Sequence, residues 1–124
     1  GDAKSYKELR VYKKSYDAAM EIFKLSKDFP QSEMYSLTSQ IRKSSRSVSA
    51  NIAEAFRRKI YPKSFTSKIN ESEAEATETQ NWLDYSFDCG YINRKIRDDL
   101  YQTYDEILGM LVNMRVSADK WKPK

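Results

Sequence analysis

The chain has 124 residues with only 3 Gly and 3 Pro, against about 15 of the two together at average usage, so it lacks the turn chemistry on which sandwiches and barrels of short strands depend. It holds no His and a single Cys, Cys89, which excludes a His-based triad, a His-containing zinc or di-iron site, an intrachain disulfide and a multi-Cys metal centre. Net charge is +4, but residues 1 to 62 carry 13 basic and 7 acidic side chains whereas residues 63 to 124 carry 9 and 11; a basic half and an acidic half suit either a nucleic-acid partner or the pairing of oppositely charged helices.

In chain order, four stretches carry apolar residues at three- and four-residue spacing. The first helix is expected from about Lys7 to Lys27, with Leu9, Tyr12, Tyr16, Ala19, Met20 and Phe23 on its inner face. The Phe29-Pro30 step ends it, because proline disfavours helical geometry in the residue before it. A second helix, about Glu33 to Lys59, aligns Met34, Leu37, Ile41, Val48, Ile52 and Phe56, with small Ser44, Ser45 and Ala55 permitting close approach. Pro62 then suits the first turn of a third helix, where its missing N–H costs nothing. That helix, about Lys63 to Cys89, aligns Phe65, Ile69, Ala76, Leu83 and Phe87, thinned by Ser72, Thr79 and Gln80. Gly90 is a natural C-terminal stop. The fourth, about Arg94 to Ser117, has the cleanest stripe, Ile96, Leu100, Ile107, Leu111 and Met114, flanked by Tyr104, Leu108 and Met110. Gly109 lies inside it, and a close helix contact would account for the residue.

Four such helices joined by short connections predict an all-α fold, an antiparallel up-down-up-down four-helix bundle. The bundle domain is expected over residues 5–118, with residues 1–4 a tag remnant or disordered and residues 119–124 a frayed tail. Mean hydropathy is −0.81, and no apolar run nears the roughly 18 residues of a membrane span. A cytoplasmic protein without a membrane partner is the expectation.

On the second helix, Arg42, Lys43, Arg46 and Arg57 fall within an arc of about 100° opposite the apolar stripe, a phosphate-binding footprint or a solvated face. Arg58 and Lys59 add charge where cations also oppose the helix dipole. On the third helix, Glu71, Glu75 and Glu78 share a face with Trp82. Like charges at that spacing call for a cationic partner on a neighbouring helix or subunit, with Trp82 as an interface anchor or as core filler. The helical di-iron pattern needs Glu-x-x-His pairs, so no metal is assigned. The serines from Ser36 to Ser49 have no base to activate them. Nine tyrosines, among them Tyr12, Tyr16, Tyr61 and Tyr85, could stack bases or form half-buried core edges.

The run Leu37, Gln40, Arg42, Ser47, Val48, Asn51, Ile52, Ala53, Glu54, Phe56 and Arg58 resembles the signature of the four-helix-bundle family encoded by intervening sequences in bacterial 23S rRNA genes. Leu9, Phe29-Pro30 with Glu33, and the Glu78, Trp82, Leu83 stretch ending at Gly90-Tyr91-Ile92 fall where that family has counterparts. Gln40, Asn51 and Glu54 are the polar positions of the motif, and Asn-Ile-Ala-Glu is its most specific part. The family usually places Gly after that run, where this chain has Ala55. The resemblance implies a homopentamer with a central channel. A related branch, the accessory variability determinant of diversity-generating retroelements, binds a reverse transcriptase and nucleic acid through a basic surface. Two readings result: a non-enzymatic oligomer without cofactors that binds RNA, DNA or a ribonucleoprotein through Arg42, Lys43, Arg46, Arg57 and Arg58, or a scaffold whose basic and acidic helices pair between subunits.

Overall fold

Prolines, a glycine and an asparagine cap divide the chain into its elements. The computed structural model describes residues 3–123 and folds them into four long helices: α1 Arg10–Ser26, α2 Ser39–Arg57, α3 Pro62–Asp88 and α4 Arg94–Val116, with no strand among the described residues. Pro62 opens α3 in its first turn. Gly90, at φ 80°, closes α3: its N–H reaches the Phe87 carbonyl at 2.9 Å, and the Tyr91 N–H reaches the Ser86 carbonyl at 2.8 Å. This double bond satisfies two carbonyls that a helix end otherwise leaves unpaired. Asn93 then caps α4, its side-chain oxygen accepting the Ile96 N–H at 2.8 Å.

Cross-helix bonds show the antiparallel order. Early α2 meets late α3 where the Thr79 hydroxyl donates to Ser44 Oγ at 2.8 Å, and further along the Ser72 hydroxyl donates to the Val48 carbonyl at 2.8 Å. Gln80 of α3 donates to the Tyr101 carbonyl and to Asp105 of α4 at 3.2 and 2.8 Å. Arg115 grips Glu73 with two bonds, of 2.7 and 3.3 Å. Lys14 of α1 pairs with Glu106 of α4. The core runs between the four helices, with Val48, Ile52, Phe65, Ile69, Leu83, Ile107 and Leu111 all essentially inaccessible. Ser72, Thr79 and Gln80 are buried on the α3 stripe, and each is tolerated because it bonds across a seam. Ala55 is fully buried, so its methyl lies within the packed interior.

Four expectations are corrected. The buried face of α1 is Val11, Ser15, Ala18, Ala19, Ile22 and Ser26. Of the expected face Ala19 lies on it, whereas Tyr16 and Met20 are 50% and 40% exposed; small residues set the close contacts, and the large aromatics ride at the boundary. The second helix does not run unbroken from Glu33: a 3-10 turn, Gln31–Glu33, and a wide π-type turn, Met34–Thr38, precede α2, and the backbone leaves helical geometry at Tyr35 and Ser36. The tail is not frayed at its start. Ala118–Trp121 forms a 3-10 turn, and the Trp121 ring stacks on Phe65 at 5.8 Å; at the other end Ala3 packs on the core, while Gly1, Asp2 and Lys124 lie outside the described residues.

Gly109 makes no close contact: a Cβ built there meets nothing within 4 Å. Without a packing reason, the residue only weakens the helix. Gly109→Ala is therefore expected to raise stability by about 1 kcal/mol, measured as a higher urea midpoint at unchanged slope.

Candidate nucleic-acid interface

The outer surface of α2 carries the predicted basic residues, and the structure separates them into three roles. Arg42 leans toward α1, where its Nε donates to Ser26 Oγ at 2.8 Å and its guanidinium lies 4.9 Å from the Phe23 ring centroid. Half-buried, it is a strut between helices rather than the free cation that the helical wheel suggests. Arg46 stands on the crest of α2, exposed, with its guanidinium 5.5 Å from the same ring. Lys27 approaches that ring too, at 4.8 Å, so Phe23 seats three cations against its negative face. Lys43 is exposed on the α3 side. Arg57 and Arg58 are exposed at the far end, about 16 Å along the axis from Arg46, with Arg58 bonded to Ser64 Oγ at 3.4 Å.

None of these five cations is paired with a carboxylate among the described residues. Some cations elsewhere are used internally: Lys68 joins Glu54 and Glu71 at 2.9 and 3.0 Å, Arg97 joins Asp84 and Asp98, and Arg115 holds Glu73. Apart from Arg42, the basic residues of the second helix thus keep their positive charge toward solvent.

At its start the basic surface opens into a groove of about 550 Å³ lined by Tyr35, Ser39, Arg42, Lys43, Arg46 and Ser47 among others. Tyr35, 94% exposed, is invisible to periodicity, which predicts a continuous helix there. The serine-rich, Pro-led stretch from Pro30 to Ser39 is the signal that argues against such continuity. Phe23 likewise falls on the inner face by spacing, although its ring carries cations.

Two of the motif residues act within the chain and the third faces solvent. Asn51 Nδ2 donates to its own helix at the Ser47 carbonyl, 3.0 Å away. Glu54 ties α2 to α3 through Lys68, and Gln40 is exposed. The acidic row is also partly satisfied within the chain, Glu71 by Lys68. Trp82 is half-buried beside Tyr85 at 5.6 Å and packs on the core, its indole N–H buried without a partner.

Burial pushes the Glu75 carboxyl above its usual range, neighbouring Glu78 and Glu71 add to the rise, and Lys43 opposes it. A carboxyl raised on folding takes up its proton more readily in the native state, so its charge destabilises the fold above that pKa, and the penalty fades as pH falls through it. Glu75→Gln should accordingly be more stable than the parent at pH 7, with the gap closing on acidification into the carboxylate range. Thermal melts of both proteins across that interval measure it.

Comparison with known proteins sets these features in a family. The model of the 23S rRNA-intervening sequence proteins matches residues 7–113. A solved structure described as a protein with unknown function from the S23 ribosomal protein family of Bacteroides thetaiotaomicron aligns with a TM-score of 0.76 and 29% identity, covering 85% of this chain and 97% of its own. No curated protein matches. No helix among the described residues is long and apolar enough to cross a membrane. The match over most of the length, on the same four-helix frame, means that this chain belongs to the 23S rRNA-intervening sequence protein family.

Proposed function

We propose that this protein is a non-enzymatic RNA-binding bundle that holds the phosphate backbone on the outer face of α2. The observation that carries this reading is the concentration of unpaired cations on one helix face: Arg42, Lys43, Arg46, Arg57 and Arg58 stay free of carboxylates among the described residues, whereas Lys68, Arg97 and Arg115 of α3 and α4 are each paired with one. Self-repelling cations on one helix are favourable only when counterions or a polyanion neutralise them. Assembly as a homopentamer, as the family resemblance implies, would repeat the face and raise avidity without new contacts. A ribonucleoprotein, including one built on a reverse transcriptase, offers the same phosphate chemistry.

The scaffold reading is weaker, because Glu71 and Glu54 already share Lys68 and Lys43 acts on Glu75 within one chain. Fewer acidic groups are left to hold a neighbouring subunit. The test is retention of a short RNA at low salt, with log affinity falling linearly against log salt at about 0.7 per phosphate neutralised for a single strand. Absence of retention at low salt overturns the reading. Sedimentation of the same sample counts the subunits.

A further inference from the structure

We infer that the groove at the start of α2 takes single-stranded RNA, with an unstacked base on the Tyr35 ring and flanking phosphates on Lys43 and Arg46. This rests on the reading of α2 as an RNA contact and goes further, because it distinguishes unpaired from paired RNA and assigns the distinction to one residue.

The inference starts from the break in the backbone. At Tyr35 (φ −100°, ψ 16°) and Ser36 (φ −127°, ψ −109°) the chain departs from helical geometry within the π-type turn. C-terminal to the break the chain behaves as an ordinary amphipathic element, with Leu37, Thr38 and Ile41 buried. Tyr35 and Ser36 both face solvent at the break, and the 94% exposure of Tyr35 is the largest of any exposed large hydrophobic side chain in the described structure. A tyrosine so placed contributes almost nothing to the core. It forms one lip of the groove of about 550 Å³ whose other walls include Lys43 and Arg46, a volume in the range of small-molecule sites.

Ring and cations together recognise a particular chemistry. An exposed ring offers a stacking platform to any base with a free π face, and adjacent cations track the strand's phosphates. In a duplex the bases are already stacked on one another, so a paired strand satisfies Lys43 and Arg46 but leaves Tyr35 unused. Ser39 and Ser47 line the same groove and supply hydroxyls suited to the ribose 2′-OH. An acidic peptide would engage the cations but would gain little from an isolated ring.

The experiment compares a short, fluorescently labelled oligoadenylate with a blunt RNA duplex of equal length, by anisotropy at low salt, for the parent, Tyr35→Ala, Tyr35→Phe and Lys43→Ala/Arg46→Ala. Tyr35→Ala should weaken the single strand about tenfold and leave the duplex unchanged, whereas Tyr35→Phe should bind as the parent does. The cation variant should weaken both RNAs. Equal affinity of Tyr35→Ala and the parent for the single strand, or equal losses on both RNAs, overturns the groove assignment and leaves the α2 reading standing if the cation variant still weakens binding. A change in sedimentation of Tyr35→Ala overturns it as well, because the ring would then be a contact between copies. Failure of the parent to bind either RNA overturns both readings at once.

Discussion

Replacing Lys43 and Arg46 together by alanine is expected to weaken RNA binding roughly tenfold at low salt and to make the salt dependence shallower by about 1.4 in the log–log slope, two phosphates at about 0.7 each. Both side chains are exposed, so neither change opens a cavity, and surface substitutions of this kind move stability by about 0.5 kcal/mol or less. Arg42→Ala should behave differently. It removes the bond to Ser26 and the cation above Phe23, contacts together worth about 1–2 kcal/mol, so part of any binding loss there would come from a loosened α1–α2 seam. Measuring the melting point beside the binding isotherm separates the two: Lys43 and Arg46 change the slope, Arg42 changes the midpoint.

The same contrast explains how far the sequence reveals the site. The wheel of α2 places Arg42, Lys43, Arg46 and Arg57 on one arc, and that much follows from 100° per residue alone. It cannot say which neighbour an arc edge meets. By the wheel Arg42 is equivalent to Arg46, because the position of α1, and of Phe23 within it, is a tertiary fact. Tyr35 escapes the wheel for a related reason: an intrahelical wheel has no place for a residue that the backbone pushes out of register.

The helix boundaries were legible where side-chain chemistry acts locally. Pro62 and Gly90 terminate or start elements through their own backbone constraints, and the α3 and α4 stripes follow from their apolar spacing. The inner face of α1 was not, and the error has a physical origin. Hydrophobic size favours Tyr12, Tyr16 and Met20, but close antiparallel packing favours Ser15 and Ala18 beside the expected Ala19, whose small size lets the helices approach. The hydroxyl of Ser15 is also satisfied locally, donating to the Tyr12 carbonyl at 2.9 Å, so burying it forfeits little. Likewise Ser72 and Thr79 look like flaws in the α3 stripe until their partners on α2 are known.

Phe65→Ala is expected to have the largest effect on stability. Phe65 is inaccessible, in the first turns of α3, and its ring carries Trp121 from the C-terminal turn. Truncating a buried phenylalanine costs about 3–5 kcal/mol through lost burial and the cavity left behind, and the aromatic pair adds about 0.5–1.5 kcal/mol beyond area. The loss divides between two places. The bundle's stability falls, which urea unfolding reads directly, while Ala118–Trp121 loses the surface on which it folds. In a Trp82→Phe background, where Trp121 is the one indole left, the emission of Phe65→Ala should shift to the red at urea concentrations well below the global transition. Trp121→Ala gives the complementary result, removing the stack while leaving Phe65 to the core, so its cost should be the smaller of the two. If both variants lost the same stability, the anchoring of the tail, and not the filling of the core, would be the main role of Phe65.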